Sequence, residues 1–372
     1  MHIGVPREIK DHEYRVGLTP DSVRELVKRG HDVLVETTAG LGIGCEDSEY
    51  AQAGARIADD AVAVFKAADM IVKVKEPQPE ERKRLRPGQL LFTYLHLAPD
   101  AAQTADLVAS GASCVAYETI TDDHGGLPLL APMSEVAGRL AAQAAAQGLE
   151  KISGGRGVLM GGVPGVSPAR VVVIGGGVVG ENAITMALGL GADVVVLDRD
   201  VNVLRRLAAR FGPSLRTVYA TAAGTETEVL AADAVIGAVL VAGAETPKLV
   251  SAEWVSRMQP GAVLVDVAID QGGCFETSRP TTHAEPTYIV DGVVHYCVAN
   301  MPGAVPRTSA FALNHATLSH VVALADQGLN NAMADDEHLR RGLNVHAGQV
   351  TCAPVAERHG YDYVSPEAAL GL

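Results

Sequence analysis

A glycine-rich turn is the segment whose spacing most directly predicts ligand chemistry. Residues 175–180 read GGGVVG and satisfy the pattern GxGxxG, which is weak alone in a chain with 39 glycines. Here the pattern follows the apolar run VVVI and precedes ENAITMALGLG, as in a strand–turn–helix unit. Gly175 permits a tight turn, Gly177 lets the backbone approach a pyrophosphate, and Gly180 allows close packing of helix on strand. The turn therefore predicts a dinucleotide site whose helix N-terminus faces the phosphates.

An acidic residue at the end of the next predicted strand indicates which dinucleotide is bound. The run ADVVVLD ends at Asp198, about twenty residues beyond the glycines. A carboxylate there accepts hydrogen bonds from both hydroxyls of the adenosine ribose and repels a 2′-phosphate, which favours NAD over NADP. Arg199 could soften that preference. The alternative interpretation is a strand–helix turn that binds nothing.

Four further polar residues are predicted close to strand ends, where open parallel sheets bind their ligands. Lys75 and His96 end the runs MIVKV and LLFTYL, Asp270 closely follows VLVDV, and Arg15 lies in the loop after the first strand. Two cations suit a substrate carboxylate. An imidazole suits the proton transfers that turn an amine into an imine and then a ketone, and a carboxylate can orient or deprotonate water. The set would suit amine–ketone chemistry on a small carboxylic acid beside the nicotinamide, although the spacing alone does not settle these roles.

Two neighbours compete with these candidates. Lys73 shares the face of Lys75 in an extended strand, and a lysine at a strand end is often only a solvated terminus. Asp266 competes with Asp270, although its place inside an apolar strand favours structural hydrogen bonding. Sequence spacing leaves both choices open.

Arg15 and His96 also have structural alternatives. Arg15 can simply pair with Glu8 or Glu13, and a histidine after a strand is commonly a satisfied structural residue. No spacing argument separates these roles from substrate binding and proton transfer.

The elements that position these residues alternate between strand and helix. Predicted strands in the first third are 2–5, 32–35, 70–74, 89–95 and 113–117, and those of the second alternation are 171–174, 193–198, 218–220, 234–236 and 262–267. Thr19-Pro20 predicts a helix start, an Ala-rich helix covers 134–151, a glycine-dense loop covers 154–168, and a helix at 309–326 ends at Gly328. This alternation predicts parallel sheets with right-handed crossovers, and a nucleotide-binding domain inserted between an N-terminal region and a C-terminal return.

Composition limits the partners. A formal net charge of −14 disfavours nucleic acid and anionic membranes as binding partners, since both need a positive surface. The N-terminal run MHIGVPREIK has no signal-peptide character, and no apolar run reaches the ~20 residues of a membrane span. We expect a cytoplasmic protein without a bound metal, whose cysteines are reduced thiols: Cys45, Cys114, Cys274, Cys297 and Cys352.

Long stretches of the chain resemble one known family. The opening GVPREIKDHEYRVGLTPDSVRELVKRGHDVLVE and the following AGLGIGCEDSEYAQAGA resemble the N-terminal signature of the alanine dehydrogenase and pyridine-nucleotide transhydrogenase family. The segments PLLAPMSEVAGRLAAQAAAQGLEK, GGRGVLMGGVPGV, VDVAIDQGGCFETSRPTTHAEPTY and VVHYCVANMPGAVPRTSAFAL resemble its alanine dehydrogenase branch. The resemblance covers the chain to about Asp326 and continues more loosely to the end.

The resemblance implies a fold, a reaction and a set of site residues. It implies an α/β protein of two doubly wound parallel-sheet domains, the second a Rossmann dinucleotide-binding domain inserted in the first. On this basis we expect a substrate domain at 1–128 and 307–372 and an NAD-binding domain at 129–306. The implied reaction is the reversible oxidative deamination of L-alanine to pyruvate and ammonium with NAD, in a homohexamer.

The same resemblance assigns substrate binding to Arg15 and Lys75 and catalysis to His96 and Asp270. It implies that the remaining site residues contact NAD together with the three motif glycines: Ser134, Val178, Val179, Asp198, Ala220, Val239, Leu240, Val267, Asp270, Arg279, Ala299, Asn300, Met301 and Pro302. Two departures from the family pattern stand out. Asp11-His12 replaces an Asn-Glu-like pair, and Ala220 replaces a serine, which removes a hydroxyl but keeps the backbone.

Three alternatives remain at this stage. The chain could be the NAD(H)-binding subunit of a proton-translocating transhydrogenase, which shares the fold and the opening motif. It could be an opine- or lysine-pathway reductase with a wider pocket limited by Met133 or Met301. It could also be a silent NAD-sensing scaffold, although retention of all four polar residues argues against that function.

Overall fold

The chain divides into two compact units, each with its own sheet. The structure is a computed structural model that describes residues 1–239 and 246–372. Unit 1 comprises Met1–Met133 and Val305–Leu372, and unit 2 comprises Ser134–Ala304. None of the helices among the described residues is long and apolar enough to cross a membrane.

The strands of the described residues are short and follow one another in chain order. They are β1 His2–Val5, β2 Asp32–Glu36, β3 Arg56–Ala58, β4 Met70–Val72, β5 Leu90–Thr93, β6 Ser113–Ala116, β7 Arg170–Ile174, β8 Asp193–Asp198, β9 Leu215–Tyr219, β10 Ala234–Gly237, β11 Val263–Asp266, β12 Thr287–Val290, β13 Val293–Tyr296, β14 Leu343–His346 and β15 Gln349–Val350.

Helices fill most of the connections. They are α1 Pro20–Lys28, α2 Asp47–Gln52, α3 Ala61–Ala67, α4 Pro79–Arg82, α5 Ala101–Ser110, α6 Ala131–Gly148, α7 Val178–Gly189, α8 Val201–Phe211, α9 Ala222–Leu230, α10 Ala252–Arg257, α11 Pro306–Asp335, α12 Glu337–Arg340, α13 Ala353–His359 and α14 Pro366–Leu370. The predicted start of α1 is confirmed, since Thr19 Oγ1 accepts from Ser22 N at 3.4 Å and Pro20 occupies the first turn.

The sheet of unit 1 has the order β15-β14-β6-β5-β4-β1-β2-β3. Six adjacent strands, from β3 at one edge to β6, are parallel and run 3-2-1-4-5-6, so the winding direction reverses between β1 and β4. The loops after β1, β4 and β5 therefore leave the same edge of the sheet near that switch point. These are the loops that carry Arg15, Lys75 and His96.

The sheet of unit 2 repeats this plan, with the order β12-β13-β11-β10-β7-β8-β9. Its switch point lies between β7 and β10, and the glycine-rich turn directly follows β7. Apolar residues of β7, β8, β10 and β11 are buried, as expected for strands that helices cover on both faces.

The predicted α/β class is confirmed, but both sheets are mixed rather than wholly parallel. In unit 1, β14 pairs antiparallel with β6 and with β15, and in unit 2 β12 pairs antiparallel with β13. β12 and β13, and likewise β14 and β15, are joined by two-residue connections, and a tight connection between paired strands forces the antiparallel direction; β14 reaches β6 only after the long C-terminal return of the chain. These strands lie in segments for which no strand was predicted.

Two predicted helix limits differ from the structure. The Ala-rich helix α6 begins at Ala131 rather than 134, because Pro132 is tolerated in the first turn of a helix. The helix predicted from 309 begins at Pro306. Its predicted end at Gly328 is confirmed, since Gly328 has a non-helical φ of 77° and ψ of 166° that separates two helices within the range Pro306–Asp335.

A buried ion cluster in unit 1 connects two of the loops that leave the carboxyl ends of its strands. Lys73 Nζ lies 2.9 Å from Glu8 Oε2 and 2.7 Å from Glu81 Oε1, and all three side chains are at most 2% exposed. Although burial opposes it, the two carboxylates hold the pKa of Lys73 above its usual range. The cluster joins the loop after β1, the loop after β4 and helix α4.

Lys73→Met should destabilise the fold strongly, because it leaves two carboxyl groups buried without their cation. The expected loss in the free energy of unfolding is about 3–5 kcal/mol. Chemical denaturation followed by circular dichroism measures it. Lys83→Met is the matched control, since Lys83 pairs with Glu80 on the exposed surface and its loss should change stability little. Equal stability of the two variants would contradict this role of the cluster.

Candidate functional site

The glycine-rich turn has the geometry of a phosphate-binding strand–helix junction. Helix α7 starts within it, at Val178, with Gly177 at the cap position and no side-chain cap for the first N–H groups. A Cβ on Gly180 would lie 1.8 Å from Gly175 O, so only glycine permits this packing. A Cβ on Gly177 would meet nothing within 4 Å, which leaves that side of the turn open to a ligand. Val178 is exposed and Val179 is buried.

Asp198 braces the turn from the end of β8. Its Oδ2 accepts from Gly176 N at 2.7 Å, and its Oδ1 accepts from Asp200 N at 2.8 Å. Each carboxylate oxygen retains a further lone pair for a sugar hydroxyl. Ala220 is hydrogen-bonded to the backbone of the same residue, since Ala220 N donates to Asp198 O at 3.0 Å. Arg199 is exposed.

Arg206 is a second brace, which the sequence reasoning missed. Its Nη2 donates to Gly176 O at 3.0 Å, and its Nη1 pairs with Glu181, which also pairs with Arg210. Helix α8 thereby holds the turn through Gly176 and the start of α7 through Glu181. The signal was present in the amphipathic pattern of α8, whose arginines follow the acid at the end of β8.

Asp270 and Asp266 have different surroundings, which separates the two competing acids. Asp266 is fully buried and accepts hydrogen bonds from Ala268 N, Cys274 N, Phe275 N and Ser278 Oγ. Burial raises the pKa of Asp266, and the hydrogen bonds from those donors only partly offset this increase. Asp270 is exposed in the following 3₁₀ turn. Asp266 is therefore a structural anchor, and Asp270 is the acid that a ligand can reach.

Residues 299–302 lie close to Asp270. Asn300 has a positive φ of 58°, its N donates to Asp270 Oδ2 at 3.4 Å, and its carbonyl accepts from His283 Nε2 at 3.2 Å. Met301 is buried, and Ala299 N donates to Thr281 O at 3.2 Å. The structure brings this segment and Asp270 together, with His283 as a supporting residue that the sequence reasoning missed.

The other predicted cofactor residues lie in helix α6 and in loops of unit 2. Val239 and Ser134 are half-buried, and Val267 N donates to Gly237 O at 3.0 Å at the end of β11. Arg279 is exposed, with its guanidinium carbon 4.0 Å from the centroid of the Tyr288 ring. Leu240 lies outside the described residues.

Arg15 is buried against Glu13 in unit 1. Arg15 Nε lies 2.7 Å from Glu13 Oε1 and Nη2 lies 2.5 Å from Glu13 Oε2, a bidentate pair that fixes the plane of the guanidinium. The third nitrogen, Nη1, faces Met133 Sδ at 3.1 Å, and sulfur is a weak acceptor. The sequence alternative that Arg15 pairs with Glu13 is thus observed, and the pair orients Nη1.

Lys75 and Lys73 do not compete in the structure. Lys73 is fully buried in the ion cluster, whereas Lys75 is half-buried. The predicted strand 70–74 is too long, because β4 stops at Val72, so Lys75 lies in the following loop rather than at the strand end. The carboxylate of Glu8 takes the backbone N–H groups of the next residues, with 2.7 Å to Val74 N and 3.4 Å to Lys75 N.

His96 lies in a comparable loop after β5, which ends at Thr93 rather than at 95. Its φ is +50°, its side chain is 43% exposed, and its backbone N–H donates to Glu118 Oε1 at 2.6 Å. The imidazole stacks on Tyr94, with centroids 5.8 Å apart and planes inclined by 11°. Burial raises the pKa of Tyr94, whose hydroxyl donates to Leu129 O at 2.5 Å. Glu118 was missed, although it too follows a strand, β6.

The described residues contain no group of His, Cys, Asp and Glu arranged to hold a metal ion. In unit 1 the structure gathers a buried guanidinium, a half-buried ammonium and an exposed imidazole on loops from one sheet edge. In unit 2 it gathers the open glycine-rich turn, the carboxylate of Asp198 at the position expected to bind a ribose, and the exposed carboxylate of Asp270. These two sets are the donors and acceptors expected for an acid substrate and for a dinucleotide.

Known proteins are similar to this chain over nearly all its length. Family models described as alanine dehydrogenase/PNT N-terminal domain and C-terminal domain match residues 4–137 and 141–353. The alanine dehydrogenase of Halomonas elongata is 61% identical over 371 residues, which cover 100% of both chains.

Solved structures give the same picture. A structure described as L-alanine dehydrogenase superposes with a TM-score of 0.94 at 52% identity and covers 97% of this chain and 99% of its own. A transhydrogenase from Sinorhizobium meliloti gives a TM-score of 0.81 at 26% identity, over 95% of this chain and 99% of its own. The chain belongs to the alanine dehydrogenase/PNT family.

Proposed function

We propose that this protein is an NAD-dependent L-alanine dehydrogenase, which converts L-alanine and water reversibly to pyruvate and ammonium. The single observation that carries the proposal is the match to L-alanine dehydrogenase over 97% of the chain, at twice the sequence identity of the transhydrogenase match. The polar groups of both units support it, because they are those that an amino acid and a dinucleotide require.

The residues of unit 2 fit NAD. We propose that the open side of Gly177 and the uncapped start of α7 receive the pyrophosphate, and that Asp198 accepts the ribose hydroxyls. The loop residues around Val239, Val267, Arg279 and 299–302 complete the cofactor site. The bound nicotinamide would accept a hydride from the substrate Cα.

Arg15 and Lys75 hold the substrate carboxylate in this proposal. Glu13 pairs with Nε and Nη2 of Arg15 and fixes the plane of its guanidinium, while the Lys75 ammonium supplies a second, compact charge. The bidentate pair limits rotation of the guanidinium, so it is oriented before the substrate arrives. Met133 beside Nη1 limits the size of the side chain that fits there.

His96 and Asp270 act on the reacting amine carbon. Loss of hydride from the neutral amine leaves an iminium, and Asp270 stabilises that charge and orients the water that adds to it. His96 takes the proton from the added water and delivers a proton to the leaving nitrogen, so ammonium and pyruvate are released. The exposed fraction of the imidazole lets it exchange protons with solvent between turnovers.

We further propose a cytoplasmic homohexamer. Apolar residues with high exposure lie close in sequence in unit 2, with Ile152 93%, Leu159 67% and Val166 64% exposed. Residues of this kind in one segment favour association with other copies of the chain. The net charge of −14 disfavours nucleic acid as the partner.

The direct test is NADH oxidation followed at 340 nm with purified protein, pyruvate and ammonium, leaving out one component at a time. Oxidation should require both substrates and should be far weaker with NADPH, because Asp198 repels a 2′-phosphate. Binding of NADH without oxidation would reject the dehydrogenase and favour the transhydrogenase-subunit function, which the second structural match supports.

Gly180→Ala should weaken NADH binding at least about tenfold, because the added Cβ would strike Gly175 O at 1.8 Å and displace the start of α7. NADH fluorescence titration measures the dissociation constant. Gly189→Ala, in the same helix, adds a Cβ that meets nothing and should leave binding unchanged. Equal affinity in both variants would argue against the turn as the phosphate site.

His96→Ala should lower kcat by about two orders of magnitude or more, because it removes the proton carrier, and should leave the NADH dissociation constant unchanged. His2→Ala is the control, since His2 lies at the amino end of β1, at the opposite edge of the parallel sheet. Near-normal turnover of the His96 variant would remove this residue from the mechanism.

A further inference from the structure

His96 has a backbone conformation that its residue type disfavours. Its φ of +50° lies in the left-handed region, which costs a non-glycine residue on the order of 1 kcal/mol or more. Such a conformation persists only where the surrounding contacts over-determine it. The residue therefore needs a partner that holds its backbone, and the structure identifies one.

That partner is the carboxylate of Glu118. Its Oε1 accepts from His96 N at 2.6 Å and from Leu95 N at 3.1 Å, and its Oε2 accepts from Leu95 N at 3.2 Å. Successive backbone N–H groups converge on an anion when adjacent residues turn in this way. Hydrogen bonds to a charged acceptor are roughly twice as strong as neutral ones. The Glu118 side chain is only 15% exposed, so water competes weakly for it.

The position of Glu118 in the sheet makes this contact possible. Glu118 lies in the 3₁₀ turn Tyr117–Thr119 directly after β6, which pairs with β5. The neighbouring strand thus presents a carboxylate to the N–H groups that leave the ladder after β5. On the other side of the loop, Gln103 Nε2 donates to Leu95 O at 2.5 Å.

The backbone of His96 sets where its imidazole points. With φ held at +50°, the ring stacks on Tyr94, whose hydroxyl is anchored to Leu129 O. The Nδ1 atom lies 4.0 Å from Glu118 Oε1, which is longer than a hydrogen bond. Glu118 therefore acts on His96 mainly through the backbone rather than through the ring.

We propose that Glu118 is a positioning residue: its carboxylate locks the left-handed backbone at His96 and so presents the imidazole to the substrate. The proposal rests on the proposed function, in which His96 carries the proton. Loss of the lock lets the backbone relax to negative φ and turns the imidazole away. A displacement of about 1 Å at a catalytic group can lower a rate by on the order of a hundredfold.

The test compares Glu118→Ala with Glu118→Gln. The amide oxygen of glutamine can still accept both N–H groups, whereas alanine cannot. In the pyruvate, ammonium and NADH assay we expect kcat of Glu118→Ala to fall at least about tenfold, with the pyruvate KM within about twofold of wild type. Glu118→Gln should keep kcat within about threefold of wild type.

Asp122→Ala is the matched control. Asp122 Oδ1 also accepts two backbone N–H groups, from His124 at 2.9 Å and Gly126 at 2.7 Å, but these belong to another loop. Its removal should cost comparable stability and leave kcat unchanged. If Glu118→Ala does not fold, Glu118→Asp replaces it, because the shorter side chain keeps the charge but withdraws the oxygens from the two N–H groups.

Crystal structures of the variants give a readout that does not depend on turnover. The φ of His96 should remain near +50° in Glu118→Gln and become negative in Glu118→Ala. A positive φ in Glu118→Ala, a kcat no lower than that of Asp122→Ala, or a Glu118→Gln variant as slow as Glu118→Ala would each overturn the proposal. An inactive wild-type protein would instead reject the proposed function, and the φ values would still decide the role of Glu118.

Discussion

The polypeptide must satisfy backbone N–H groups where parallel strands stop pairing, and buried or half-buried carboxylates do this at four of the candidate loops. Glu8 takes the N–H groups after β4, and Glu118 takes those after β5. Asp198 takes that of Gly176 after β7, and Asp266 takes those that follow β11. Unpaired backbone groups in such positions would cost as much as a lost hydrogen bond each. Each acid thereby fixes the path of a loop that carries a candidate site residue.

Burying a carboxylate costs desolvation free energy, and the structure offsets this cost in two ways. Burial raises the pKa of Glu8, and Lys73 opposes that shift as its counter-charge. Asp266 has no lysine or arginine among its hydrogen-bond partners in the described part of the chain, and three N–H donors and a hydroxyl offset its desolvation. Lys73 is therefore fully buried because it neutralises Glu8, the acid that accepts the backbone N–H groups of Val74 and Lys75.

The sequence was sufficient to predict those features of the fold that depend on residues close together in the chain. The glycine turn was identifiable because Gly180 has no room for a Cβ, and the order of strands and helices around it is fixed by hydrophobic patterning. The strand ends at 75 and 96 were wrong. The patterns of both runs extend beyond the observed strands, and the backbone N–H groups beyond Val72 and Thr93 are accepted by Glu8 and Glu118, which are distant in sequence. The antiparallel strands β12, β14 and β15 were missed because they are only two to four residues long, which is too short for a clear alternating pattern.

The choice between Lys73 and Lys75 shows why a site of this kind needs the structure. Both lysines lie two residues apart in an extended segment, so alternation alone gives them the same face. What separates them is the position of Glu8 and Glu81, which arrive from the loop after β1 and from α4 and neutralise Lys73 in the core. Lys75 lies just beyond that cluster, where its backbone N–H still contacts Glu8 and its side chain reaches partial exposure. The same acid therefore assigns one lysine to stability and places the next at the sheet edge, where a substrate carboxylate can meet it.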